Sequence, residues 1–246
     1  MNKIESIVDI NIRLHKISRL TINSFLNSLK KSNAQIHTTH HILLAYCLKS
    51  IDLIEGINKL YEMNLSENAQ ILIRTLFETN LNFGHVVKLA TENIDNAANE
   101  IMACMMIREA HKTKQQNLES NRLNKISDEF LKNYSEKEIK NIRQYGFPRE
   151  KIIDRAKNDN KEESYKIMYK NFSRNVHALD FQEYFVKLGI RDYGETYDEK
   201  YVLRNSAALN HAHTCFYQII KFCCMEFEWN ISDKLEDIHR EFINIC

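Results

Sequence analysis

One proline and five glycines in 246 residues are too few for a chain built from sheets and tight turns. Turns draw on both residue types, so the shortage predicts long helices joined by short polar links. An excess of either charge is lacking too: 34 basic against 33 acidic residues leave a net charge of +1. That balance demands neither nucleic acid nor an anionic membrane as partner, and it leaves room for a local basic cleft. No stretch of about 18 residues is free of charge, so no membrane span is expected. The N-terminus soon turns amphipathic and charged, and no signal peptide is expected there. The cysteines Cys47, Cys104, Cys215, Cys223, Cys224 and Cys246 form no C-x-x-C pair. Free thiols in a cytoplasmic protein are the expectation, and a structural zinc site is not, because paired ligand spacings are missing.

What is present is apolar residues at helical spacing. Residues 3–29 read as one amphipathic helix, with Ile4, Ile7, Val8, Leu14, Ile17, Phe25 and Leu29 returning every three to four positions. A second helix, about 39–63, is apolar on most sides and therefore central. A third spans about 67–91 and a fourth about 94–116. Residues 117–160 are more polar and broken into shorter pieces. There Ser135-x2-Glu138 is a capping box opening a short helix to about Gln144. Gly146 stops it, and Pro148 suits the first turn of another. Helices at 162–179 and 198–229 follow, with a short helix and loop between them. Ser232 is expected to cap a last helix that turns Leu235, Ile238, Phe242 and Ile245 inward. The expected fold class is all-α, a multi-helix bundle with long antiparallel helices. One domain covers 1–246, with 117–160 as an insertion or flap.

The polar exceptions to this pattern carry the candidate chemistry. Tyr169, Ser173 and His177 stand at i, i+4 and i+8. Each four-residue step drifts only about 40° around a helix, so the three share a stripe roughly 12 Å long. One reading is a polar stripe hydrogen-bonded inside the bundle. A Ser–His pair for acyl transfer lacks a G-x-S-x-G elbow and an oxyanion loop. A third reading is metal-independent phosphodiester chemistry. His177 would be general acid or base, Tyr169 and Ser173 would orient it or the phosphate, and an arginine would stabilise the charged transition state. Arg74 and Glu78, at i and i+4 on the third helix, are either an ordinary surface ion pair or the lining of a cleft. No cofactor and no metal is expected. His211 and His213 do not share a helical face, and His37 with His41 has no evident acidic third ligand.

Arg204-Asn205 followed by His211 resembles the Arg-x(4–6)-His signature of HEPN ribonucleases, with a polar residue after the arginine. In those enzymes two protomers join their motifs into one site, so the resemblance implies a dimer. Arg174 and His177, separated by two residues, do not meet that signature. Arg74-Thr-Leu-Phe-Glu78 together with Tyr169-x3-Ser173-x3-His177 is similar to a family of uncharacterised all-α bacterial proteins, a domain of unknown function. The similarity runs over about residues 40–225. The helical layout of that family resembles HEPN-like proteins, many of which act in phage defence or as toxins. The resemblance implies a HEPN-like accessory or antiviral defence protein, a candidate metal-independent ribonuclease. Its catalytic residues would be His177, Ser173, Tyr169, Arg74 and Glu78, with Arg204, Asn205 and His211 as a competing site. The alternative is a non-catalytic sensor for a nucleotide, small anion or partner protein. RNA or a nucleotide is the expected ligand, a homodimer the expected assembly, and no membrane is involved.

Overall fold

The structure, a computed structural model, describes residues 3–116, 121–147, 149–176 and 195–246. Side chains at 121–124, 126, 170–176 and 195–202 lie outside the described set. Among the described residues there are ten α-helices and no strand, as the shortage of glycine and proline predicts. They are α1 (Lys3–Ser32), α2 (Thr38–Glu62), α3 (Ser66–Glu92), α4 (Ile94–Gln115), α5 (Asn121–Leu131), α6 (Glu136–Tyr145), α7 (Ile152–Asn158), α8 (Glu162–Val176), α9 (Glu195–Glu226) and α10 (Ser232–Ile245). The chain groups into two compact units. The first comprises Met1–Gln35, Leu44–Asn80 and Glu162–Cys246, and the second Ile36–Leu43 and Leu81–Lys161.

In the first unit α1 packs against α9 and α10, and those two pack against each other. The apolar stripe of α1 buries Ile7, Val8, Ile10, Leu14 and Ile22. It also buries two polar residues that periodicity alone does not select, Asn11 and Ser18. The Ser18 hydroxyl donates to the Leu14 carbonyl at 2.8 Å, so its burial leaves no unmet donor. Arg19 ties α1 to α2 through Asp52 at 2.6 Å and Glu55 at 3.0 Å. Where α2 crosses α3, a Cβ on Gly56 would come within 2.9 Å of Leu72 Cδ1. Two buried hydrogen bonds then fix α9 against its neighbours. Tyr61 of α2 donates to Asn205 Oδ1 at 3.1 Å, and Asn80 of α3 donates to the Cys215 carbonyl at 3.1 Å. A slip of either helix would strand a buried polar group, at about 1–3 kcal/mol each.

The second unit has its own apolar core. Cys104 and Ile107 of α4 meet Ile142 of α6, with Phe130, Leu131, Tyr134 and Phe147 packed around them. The capping box forms as read: the Ser135 hydroxyl accepts from the Glu138 amide, and Glu138 accepts from the Ser135 amide. Gly146 ends α6 at φ +73°. Arg149 joins Glu100 at 2.7 Å and Glu138 at 2.9 Å, tying α4 to α6.

Two details depart from the sequence reading. Ser232 is the first helical residue of α10, and Ile231 occupies the cap with no side-chain hydrogen bond. The long helix α9 begins at Glu195 rather than 198, because nothing in Glu195-Thr-Tyr-Asp breaks it. The readings at Pro148 and for most of 180–198 lie outside the described residues. All six cysteines are free thiols, Cys246 exposed and the rest buried. No described helix is long and apolar enough to cross a membrane.

Candidate functional site

The third helix brings Arg74 and Glu78 one turn apart, and α8 brings Tyr169 to them across 91 residues of sequence. Arg74 Nε donates to Glu78 Oε1 at 3.3 Å. The Tyr169 hydroxyl donates to the same carboxylate oxygen. The Arg74 guanidinium lies 3.8 Å above the centre of the Tyr169 ring, within cation–π range. The three side chains therefore form a closed cluster rather than three separate surface groups. Arg74 is 21% exposed and Glu78 32%, so solvent reaches the cluster from one side. Arg74 Nη1 is buried and has no hydrogen-bond partner among the described residues.

The electrostatics limit what each group can do. Burial, then the hydrogen bond to the Glu78 carboxylate, push the Tyr169 phenol well above its ordinary pKa. Tyr169 is thus a proton donor held in place and no general base near neutral pH. Burial works against the charge on Arg74, but the Tyr169 hydroxyl and the Glu78 carboxylate outweigh it and raise its pKa. The arginine stays a fixed cation. Ser173 lies on α8 one turn beyond Tyr169. Its side chain and all of His177 fall outside the described residues.

The competing motif sits on α9. Arg204 Nη2 donates to Gln70 Oε1 at 2.8 Å. Gln70 stands one turn before Arg74 on α3, so both candidate arginines meet the same helix within one turn. Asn205 is fully buried and takes the Tyr61 hydrogen bond described above, which gives it a place in the packing of α9. His211 is partly buried, and burial lowers its pKa. It lies two turns along α9 from Arg204, on the same face.

Two residues of this region escape a motif-based reading. Tyr165 stacks on Tyr169 with ring centres 4.4 Å apart and planes 21° from parallel. It continues the Tyr-x3-Ser-x3-His spacing one turn backward, and that spacing is its signal. Gln70 likewise extends Arg74-x3-Glu78 one turn backward. Elsewhere His37 Nε2 reaches Asp95 Oδ1 at 2.7 Å, an acidic neighbour distant in sequence. Among the described residues no group of three His, Cys, Asp or Glu side chains could hold a metal ion.

A family model described as "Family of unknown function (DUF5677)" matches residues 40–190. That span contains α3, α8, Arg74, Glu78, Tyr169, Ser173 and His177, and it stops short of Arg204 and His211. No curated protein matches the chain. No solved structure matches it either.

Proposed function

The chain belongs to DUF5677, a family of unknown function, and from the cluster it carries we propose that it is a HEPN-like protein acting on RNA without a metal. The observation that supports this reading is the convergence of Arg74, Glu78 and Tyr169. Glu78 and Tyr169 hold a guanidinium half-buried, with one nitrogen unpartnered among the described residues. Such a group suits a phosphate oxygen, because a preorganised cation costs little to bring to a developing negative charge. Proton transfer falls to His177, eight residues after Tyr169 in the sequence, since the phenol is held protonated. The residues carry over as phosphate anchor (Arg74), orienting groups (Glu78, Tyr169, Ser173) and general acid or base (His177). A homodimer and a role in phage defence accompany the HEPN-like reading.

The test is incubation of the purified protein with tRNA and total RNA in EDTA, beside His177→Ala, Arg74→Ala and Arg204→Ala. Cleavage in EDTA that is lost in His177→Ala and Arg74→Ala and kept in Arg204→Ala supports the assignment. No cleavage, or cleavage equal in all variants, overturns the enzyme reading.

A second reading is favoured by the Tyr165–Tyr169 stack. An aromatic pair beside a fixed arginine is also a platform for a nucleotide base and its phosphate, with no reaction following. A nucleotide that raises the melting temperature by mass action without product formation selects this reading.

A further inference from the structure

The second unit holds a separate open cleft of about 780 Å³ between α4 and α6. Arg108, His111 and Lys112 line one wall, and Lys140 and Arg143 the other. These positions recur at three- and four-residue steps, so each helix turns one face into the cleft. Against four permanent cations stands one lining carboxylate, Glu136, which leaves the cleft with a charge of +3. The whole chain carries only +1, so the cleft gathers charge that the rest of the surface does not show.

The local structure keeps these cations unneutralised. Glu138, the acid nearest in sequence to Lys140, is committed to Arg149 and to the Ser135 cap. Glu100 on α4 is committed to the same Arg149. Among the described residues Lys112, Lys140 and Arg143 make no ion pair. Arg108 is positioned rather than loose. It lies against Gly146, where a Cβ would collide with its guanidinium, and its Nη1 donates to the Tyr145 carbonyl at 3.4 Å. Its Nε is buried without a hydrogen-bond partner among the described residues. Leu131 and Ile139 supply apolar surface beneath these charges, which strengthens their field.

We propose that this cleft binds the sugar–phosphate backbone of a single-stranded nucleic acid. Cations on both walls, one turn apart on α4 and nearly so on α6, match a row of phosphates better than a single anion. A volume of about 780 Å³ accommodates a short segment of one strand. Among the described residues no Phe, Tyr or Trp side chain lines it, so backbone contact rather than base readout carries the binding. The site is distinct in residues from the Arg74 cluster and does not require RNA cleavage.

The test is binding of labelled 2′-O-methyl RNA and DNA oligonucleotides, which lack the 2′-hydroxyl nucleophile, measured by fluorescence anisotropy across salt concentrations. Four phosphate contacts predict a log–log salt slope of about −2.8 for a single strand. Lys112→Gln with Arg143→Gln, both exposed positions, should bring the slope to about −1.4 and weaken binding about 25-fold near 0.1 M salt. Lys140→Gln with Arg143→Gln should do the same. Whichever strand binds more tightly identifies the ligand. Binding of tripolyphosphate but of neither strand overturns the proposal. So does a salt slope that both double variants leave unchanged. Arg74→Ala should leave the slope as it is; a response to the cleft pairs without RNA cleavage by the wild type keeps this site and removes the ribonuclease reading.

Discussion

Acid should destabilise this protein through one buried histidine. His213 of α9 is fully buried in the first unit, between Asn11 of α1 and His239 of α10. Its Nδ1 donates to Asn11 Oδ1 at 2.8 Å, and its Nε2 meets His239 Nδ1 at 3.2 Å. The Phe242 ring stacks on it at 3.8 Å. Among the described residues no carboxylate accepts from it. Burial, reinforced by the neighbouring His239, pushes its pKa down from 6.5 to about 3. The groups around the cluster are Tyr217, which stacks on His239, and the Lys221–Glu236 pair beyond it. Glu236 partly offsets the lowering at His239, while Lys221 adds to it.

The sign follows from which state takes the proton. Between about pH 6.5 and 3 the unfolded chain protonates this histidine and the folded chain does not. Stability is therefore greatest above the unfolded pKa and falls as pH drops through that window, by about 1.4 kcal/mol per unit. From pH 7 to pH 5 the loss from His213 comes to about 2 kcal/mol, a large share of a typical stability of about 5–15 kcal/mol. The assay is urea unfolding of the wild type and His213→Gln at both pH values. Glutamine keeps a donor for Asn11 and does not titrate. The wild type should lose about 2 kcal/mol more than the variant over this interval. Equal losses would refute the argument, because carboxylates elsewhere affect both proteins alike.

Two further outcomes follow from single contacts. Gly146 sits at φ +73° and ψ −153°, a region open almost only to glycine, so Gly146→Ala should cost about 1–3 kcal/mol in urea unfolding; an unchanged midpoint would contradict that backbone reading. Tyr169→Phe keeps the ring over Arg74 and loses the bond to Glu78, at about 1.5 kcal/mol, whereas Tyr169→Leu should cost about 0.5–1 kcal/mol more; equal midpoints for the two would remove the cation–π contact.

The helical class was legible in the sequence because it depends on composition and on a 3.6-residue period, both properties of neighbours along the chain. The Ser135 cap and the Gly146 stop were legible for the same reason. What escaped depends on residues far apart in sequence. Asn11 and Ser18 interrupt the apolar period of α1, yet both are buried, because Leu14 and His213 supply the bonds that make burial tolerable. His213 was dismissed as a metal partner of His211 on correct helical geometry. Its real partner, His239, lies 26 residues on and on another helix. His37 shows the same limit, since Asp95 reaches it from the start of α4.

The two arginine motifs were read as rivals because each looks self-contained along the chain. The shared helix α3 changes that relation. Gln70, Arg74 and Glu78 recur every four residues, so they form one stripe of α3. Arg204 bonds to the first of them, and Tyr169 bonds to the last while stacking under the second. A displacement of α3 would therefore move both motifs together. The proposed function favours Arg74 on the contacts it makes. Arg204 donates to the neutral amide of Gln70, and Asn205 accepts from Tyr61 in the packing of α9. Arg74 meets an anion and an aromatic face, and keeps a buried nitrogen unpartnered among the described residues. A guanidinium aligned by an anion on one side and 21% exposed can take up a second anion with little reorganisation. Under the proposed function, ligand chemistry on this stripe centres on Arg74, with Arg204 bonded to the helix that presents it.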